Sequence, residues 1–519
     1  MSTNIVPITL REAPWQNLAG EIVIGKDILE LLSSSMYVDP MTIYREYVQN
    51  AADSIDQARA DGQLAADAGK VTINTDIPGR TVKIRDNGTG ISHADFAGRL
   101  TAFGASKKRG RGARGFRGVG RLAGIGYCQE LIFRSRVAGE TKVSELRWDC
   151  KKLKSLLRSS EEHHDLREAV AQVVELRRIP ATDFPDRFFE IELRGIIRHR
   201  NDQLLSAAAI NTYLSQVAPV PFRPDFPFRD KILNHVSAHV HLGDLCVVIG
   251  EDGEQIYRPH GESMEVGVGV LDTFTEVELL NIEGIDEETA CVGWVLHHGY
   301  TGALPSSCNV RGLRVRCGNI QVGDDRMFEE LYPEARFNAW SVGELHIIDP
   351  RIVPNGRRDH FEQSVHFHNL LTHLTPVARE ITRRCRTSSV QRKWARDFEL
   401  RETAIREKAA IIKQGALNRG DRYGMTEEIK AGVAFLNGII TKGILPGPVI
   451  ADMKKRKEKV ERDVSKILNA PVKVSALADI PSSKRRAYEE LIGLIYKCSA
   501  SQTNAKLLVD KILARITLT

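Results

Sequence analysis

No Cys-x-x-Cys pair occurs in the sequence, although it holds eight cysteines, widely spread as Cys128, Cys150, Cys246, Cys291, Cys308, Cys317, Cys385 and Cys498. That spacing excludes zinc knuckles and a disulfide framework and points to a reducing cytoplasm. No apolar run approaches the roughly 18–20 residues of a membrane span, so no membrane partner is expected. Met1-Ser2-Thr3-Asn4-Ile5 lacks the basic-then-apolar start of a signal peptide. Repeats and low-complexity tracts are missing as well. The net charge of +6 is too small to imply a nucleic-acid partner by itself and matters only where basic residues cluster. What remains is an ordinary globular composition, 42% hydrophobic and 27% charged, over 519 residues, enough for three domains with cores of their own.

The stretch Tyr44-Arg45-Glu46-Tyr47-Val48-Gln49-Asn50-Ala51-Ala52-Asp53-Ser54-Ile55-Asp56 organises the rest. On a helix, Tyr44, Val48, Ala51 and Ile55 share one apolar side, and Glu46, Asn50 and Asp53 stack on an adjoining face. Polar groups lined beside a buried stripe are more than a solvated surface needs. Pro40 marks the helix start, with Thr42 as a candidate cap. A shorter helix is expected over residues 21–36, and 56–69 is either a loop or a helix tail.

Val71–Thr75, a turn at Pro78-Gly79 and Thr81–Arg85 read as a β-hairpin running into Asp86-Asn87-Gly88-Thr89-Gly90. A carboxylate at a strand end, followed by two glycines, suits either a tight turn or the close approach of a ligand. From Lys107 to Arg121 the chain carries seven Lys or Arg and no acid, interleaved with glycines. A glycine-rich segment opening a helix at Leu122 suits polyphosphate, and its charge equally suits nucleic acid.

In this order and spacing, the three segments resemble the GHKL ATPases (gyrase, heat-shock chaperone, histidine kinase and MutL families). Glu46-x-x-x-Asn50-x-x-Asp53 is similar to their N-box, Asp86-x-Gly88-x-Gly90 to their adenine-reading motif, and Gly115-Phe116-Arg117-Gly118-Val119-Gly120 to the glycine motif at the lid end. Residues 43–53 resemble the ninety-kilodalton heat-shock chaperones most. The resemblance implies ATP and Mg²⁺ as cofactors. It makes Glu46 the general base that activates water, Asn50 the ligand of Mg²⁺ through an amide oxygen with phosphates and water completing the shell, and Asp86 the acceptor of the adenine amino proton. Asp53, Gly88, Gly90, Gly104, Ser106, Lys107, Gly115, Gly118, Val119 and Gly120 are the further nucleotide-binding positions it implies, Asp53 in a structural part. One departure stands out: these families place a threonine on the domain's last strand beside the adenine Asp, and here that strand, Arg187–Leu193, offers Phe189.

The implied fold class is α+β. Residues 1–225 form an N-terminal GHKL (Bergerat-type) α/β sandwich, 226–370 an α/β transducer-like middle domain, and 371–519 an all-helical C-terminal region. A proline cluster, Pro219 to Pro227, marks the first boundary. Strand-like runs follow at His239–Ile249, Cys291–Leu296, Gly312–Gln321 and Gly343–Ile348, with a helical stretch at Met327–Leu331. Asp349-Pro350-Arg351-Ile352-Val353-Pro354-Asn355-Gly356-Arg357-Arg358-Asp359 resembles the chaperones' middle-domain loop, which implies that Arg358, with Arg357 as the alternative, reaches the ATP site as an arginine finger. Helices are expected from Thr375 on. The stripes Tyr488, Leu491, Ile492, Ile495, Tyr496 and Leu508, Ile512, Ile516 either pack a core or pair two subunits of a homodimer. Arg383–Arg386 and Lys454–Lys457 are either solvated helix faces or a surface for DNA or an acidic partner. The functional expectation is therefore an ATP-hydrolysing clamp resembling the chaperones, with a protein client. The alternative is a MutL- or MORC-like clamp on DNA, including a role in defence against foreign DNA.

Overall fold

The computed structural model describes residues 39–102, 120–158, 166–242, 245–251, 253–469, 477–478 and 480–516. The expected helix over 21–36 lies outside the described residues, as do Gly104, Ser106, Lys107, Gly115, Gly118 and Val119 of the glycine-rich segment. The chain divides into two compact units, Met1–Thr382 and Arg383–Thr519.

In the first unit, helix α1 runs Thr42–Ala60 and buries Tyr44, Val48, Ala51 and Ile55, the apolar side read from the sequence. Thr42 is not its cap. The N-cap is Met41, with no side-chain cap bond, and the Met41 N–H donates to Asp39 Oδ1 at 3.0 Å. The hairpin forms as strands β1 (Lys70–Asp76) and β2 (Thr81–Asp86), paired antiparallel from Val71↔Asp86 to Asp76↔Thr81. They belong to a seven-stranded sheet with β3 (Glu130–Arg136), β4 (Lys142–Asp149), β5 (Val174–Pro180), β6 (Phe188–Arg194) and β7 (Cys246–Ile249), in the order β5-β4-β3-β6-β2-β1-β7. Only β7 runs parallel to its neighbour, β1. Of the run His239–Ile249, the last four residues form a strand, and they complete this first sheet.

One face of the sheet packs Leu131, Phe133, Leu146, Trp148 and Ile191 into a common core with α1. The other carries ions in register: Arg85, Glu190, Arg134, Glu145 and Arg177 alternate in sign across five adjacent strands. Opposite charges directly facing one another is the favourable cross-strand arrangement. Arg134 donates to Glu145 at 2.6 Å, Glu190 at 2.8 Å and Glu192 at 2.5 Å.

The helix expected at Leu122 is a 3₁₀ turn, Gly120–Gly126. Three glycines in seven residues lower its α-helical propensity, and its close seat on α1 fixes the tighter form. After helix α2 (Ala207–Val217), capped by Ser206, and the prolines comes a five-stranded sheet built on Thr289–His297, Gly312–Cys317, Ile320–Val322, Val342–Ile347 and Glu276–Glu283. Gly312–Gln321 is thus two strands, broken by a turn at Gly318 and Asn319, both at positive φ. Met327–Leu331 holds only a short 3₁₀ turn, Glu329–Leu331. Phe222, Phe226, Trp294 and Leu296 centre a second core. Beneath it lies a polar cluster in which Glu344 pairs with Arg258, and with Arg316 at 2.8 Å.

The second unit is helical. The helix that leads into it starts at Val365, before Thr375, and runs through Pro376 to Gln414. Among the described residues four more helices follow: Arg419–Thr441, Gly447–Leu468, Ser482–Cys498 and Gln502–Ile516. Ile492 and Tyr496 are buried as the stripe required, whereas Leu491 is exposed. On the last helix the buried positions are Ala505, Val509 and Leu513, one residue on from the expected stripe, and Leu508 is exposed. In the run Lys454–Lys457, Arg456 pairs with Glu402 at 2.5 Å and Lys457 with Glu461 at 3.2 Å, so two of its four cations have intramolecular partners. Among the described residues no helix is long and apolar enough to cross a membrane. None of the eight cysteines is in a disulfide.

Candidate functional site

Helix α1 is the site's backbone because its apolar side is fully committed to the core, which fixes the rotation of the adjoining polar face. On that face Glu46 is buried, while Asn50 and Asp53 are half-buried. Arg45 donates to Glu46 Oε1 through Nη2 at 3.1 Å and through Nε at 3.4 Å. The second carboxylate oxygen meets the glycine segment. A Cβ placed on Gly120 would stand 2.3 Å from Glu46 Oε2, so only glycine lets the 3₁₀ turn come this close. Tyr47 fastens the same turn to α1, its hydroxyl accepting from the Gly124 N–H at 2.9 Å. Tyr47 stands outside the motif, and on the helix it reads as an ordinary core aromatic.

Asp86 ends β2 and is buried, and one of its carboxylate oxygens, Oδ1, accepts from the Gly88 N–H at 2.9 Å. The turn after it is pressed onto α1 at Ser54. The Thr89 N–H donates to Ser54 Oγ at 3.1 Å, and a Cβ on Gly88 would lie 2.2 Å from that oxygen. Gly90 has φ +70°, and an added Cβ there would approach the Arg136 carbonyl to 2.5 Å. The glycines of this motif therefore serve the contact between turn, helix and sheet. Ser54, adjacent to Asp53, is the site residue that the motif reading passed over.

Phe189 stands directly opposite Asp86 across β2 and β6 and stacks on Phe133 at 6.1 Å between ring centroids. A hydroxyl enters that row one strand further on. Ser135, fully buried and opposite Phe189, donates to the Phe188 carbonyl at 3.0 Å and accepts from the Ile91 N–H at 2.7 Å. It ties the loop after Gly90 to the sheet.

The far wall comes from the turn between Val353 and Glu362. It is closed by the Asn355 N–H donating to the His360 carbonyl at 2.8 Å and the Glu362 N–H to that of Val353 at 2.8 Å. Arg358 sits in it at φ +56°, a left-handed conformation that an arginine adopts only when its surroundings hold it there. Its side chain is buried, and burial pulls its pKa down; the Glu46 carboxylate is the largest charge acting against that pull, with Asp53 contributing in the same sense. Arg357 is exposed, and its carbonyl accepts from Arg45 Nη2 at 3.1 Å. Arg45 thus bridges Glu46 to the turn carrying Arg358, over more than three hundred residues of chain.

Among the described residues no group of three His, Cys, Asp or Glu is arranged to hold a metal ion. The oxygen donors at hand, chiefly the Asn50 amide, fit a magnesium ion that arrives with a polyphosphate and keeps phosphate and water as most of its shell. Residues placed together are Glu46, Asn50, Asp53 and Gly120 along α1, Asp86, Gly88 and Gly90 at its Ser54 end, and Arg358 across from Glu46.

Residues 60–175 match the family described as histidine kinase-, DNA gyrase B-, and HSP90-like ATPase. The match begins at the last residue of α1, so it includes Asp86 and Gly120 but not Glu46 or Asn50. The chain is similar to the chaperone protein HtpG of Streptomyces coelicolor (strain ATCC BAA-471 / A3(2) / M145), 30% identical over 140 residues, 23% of this chain and 22% of that protein. It is 27% identical to HtpG of Wolbachia sp. subsp. Brugia malayi (strain TRS) over 146 residues, 24% of this chain and 23% of the other. With HtpG of Nocardia farcinica (strain IFM 10152) the likeness is 27% over 199 residues, 34% and 30% of the two chains. The matched region spans less than a third of each of these relatives.

Proposed function

We propose that this chain, which carries a GHKL-type ATPase domain, is an ATP-hydrolysing conformational clamp of the HtpG kind, working as a cytoplasmic homodimer on a protein client. The observation that carries the reading is the Arg45 bridge from Glu46 Oε1 to the Arg357 carbonyl, which docks the turn holding buried Arg358 onto the Glu46 end of α1. That docking brings together, from segments far apart in sequence, the two halves a triphosphatase needs, a base and a transition-state cation.

In this reading Asp86 accepts the adenine amino proton, and the triphosphate lies along the Glu46–Asn50 face of α1 toward Gly120. Asn50 would hold, through its amide oxygen, a magnesium ion that comes with the nucleotide, and that ion would supply charge to offset the phosphates. Glu46 takes a proton from the attacking water as the bond to the γ-phosphorus forms and ADP leaves. Arg358 offsets the charge that develops on the transferred phosphoryl group. Because Arg358 belongs to the turn and Glu46 to α1, hydrolysis is competent only with the two docked, which couples chemistry to conformation. The proposed domain limits are 225 and 370, with Cys246–Ile249 reaching back from beyond the first limit to the first sheet.

The test separates binding from turnover. Glu46→Ala should bind ATP with near wild-type affinity and show no turnover above background, while Asp86→Asn should lose nucleotide binding altogether. Wild-type turnover by the first variant, or wild-type affinity in the second, removes the corresponding assignment.

A further inference from the structure

A cavity of about 380 Å³ adjoins the start of α1; Arg45, Arg314, Gln321 and Arg358 line it, and Glu46, Asn50 and Asp86 do not. Its charges are sorted by depth. Asp39, Asp324 and Asp359 are exposed at the mouth, whereas Arg45, Arg314 and Arg358 are buried, at 7%, 6% and 8% exposure. Asp325, between these levels, is engaged by Arg311 Nε at 2.5 Å.

Arg314 is the anomaly. Its Nη1 donates to Gln321 Oε1 at 3.1 Å, and its buried Nε has no hydrogen-bond partner among the described residues. Burial pulls its pKa down, yet a guanidinium does not give up its proton in a protein. Asp325 is the largest charge acting against that pull and Glu344 the next, but Asp325 is engaged by Arg311 and Glu344 is shared by Arg258 and Arg316. A buried cation short of acceptors is costly unless an anion joins it.

We propose that this cavity binds a phosphate-class oxyanion, held by Arg314 and enclosed by the positive walls of Arg45 and Arg358. A planar guanidinium fork matches two oxygens of a tetrahedral anion. Thr42 and Tyr213, also in the lining, bring hydroxyls to the same space. Two sources have this chemistry: free inorganic phosphate and the terminal phosphoryl group of a nucleotide. The site itself does not depend on the ATPase reading; only the second source does.

The experiment is calorimetric titration of inorganic phosphate into the full chain, for wild type, Gln321→Glu and Arg314→Met. Gln321→Glu is nearly isosteric and hands Arg314 a carboxylate, so it should fold at least as stably as wild type while weakening phosphate binding at least tenfold. Arg314→Met should weaken it similarly. Repeating the titration with saturating ADP or a non-hydrolysable ATP analogue separates the sources. Phosphate binding that persists with both identifies the free ion as occupant. Binding blocked by the ATP analogue and kept with ADP identifies the terminal phosphoryl group. Absence of phosphate binding in wild type, or undiminished binding in folded Gln321→Glu, overturns the site. Absence of nucleotide binding with phosphate binding intact would instead defeat the ATPase reading and leave the cavity's assignment standing.

Discussion

The first unit holds two buried charge clusters, made from the same residue types and balanced in opposite ways. On the first sheet, Glu145, Glu190 and Glu192 converge on Arg134, and each has a further cation: Arg177, Arg85 and Arg194 respectively. On the second, the carboxylate of Glu344 faces Arg258 and Arg316, with neutral imidazoles beside it, while nearby Arg314 feels chiefly Asp325, which Arg311 already engages. Burial holds His346 down at about 4 and His260 at about 3, so neither adds charge at neutral pH. The first cluster closes on itself and can serve as a sheet surface. The second leaves positive charge inside, next to the cavity and to Arg358. Imbalance in a buried cluster points to a function, and balance to architecture.

The largest effect that tests this contrast is Glu344→Gln. It strips two buried guanidiniums of their common acid and should cost about 3–5 kcal/mol in denaturant unfolding. A change below about 1 kcal/mol would mean that the second cluster is hydrated and the contrast false. Arg134→Met should cost less, about 1–3 kcal/mol, because each carboxylate it abandons keeps another cation. A loss equal to that of Glu344→Gln would erase the distinction. The smallest effect is in acid. Burial alone would raise Glu145 and Glu192, but hydrogen bonds from Arg177 and Arg134 to the first, and from Arg194 and Arg134 to the second, outweigh it and hold both below the usual carboxylate range. Their contribution is complete above the unfolded carboxylate value of about 4.3 and is lost as pH falls through the lower folded values. The stability gap between wild type and Arg134→Met should therefore narrow on acidification below about pH 4. A constant gap would assign Arg134 a packing role alone.

The same contrast separates what could be read from the sequence and what could not. The apolar side of α1, the β1–β2 hairpin and Asp86 at a strand end follow from local periodicity and turn chemistry, so they were legible. Phe189 opposite Asp86 was also foreseeable from the strand. The 3₁₀ turn at Gly120 has the sequence pattern of a helix start, and its tighter form depends on the close contact with Glu46, a tertiary fact. The run His239–Ile249 reads as a long strand of the second sheet, whereas only its last four residues pair, with β1 of the first sheet, across more than 170 residues that local pattern does not span. Ser54, Ser135 and Tyr47 sit outside any motif and act by holding turns in place. Arg314 belongs to an ordinary-looking strand, and only the depth at which its guanidinium is buried sets it apart.

We propose that α1 and the 353–362 turn form one reaction centre, which the Arg358→Ala variant would break. ATP turnover at saturating nucleotide should fall by a factor of about 10²–10³, with nucleotide affinity within about threefold of wild type. Turnover equal to that of the unmodified chain would contradict the claim.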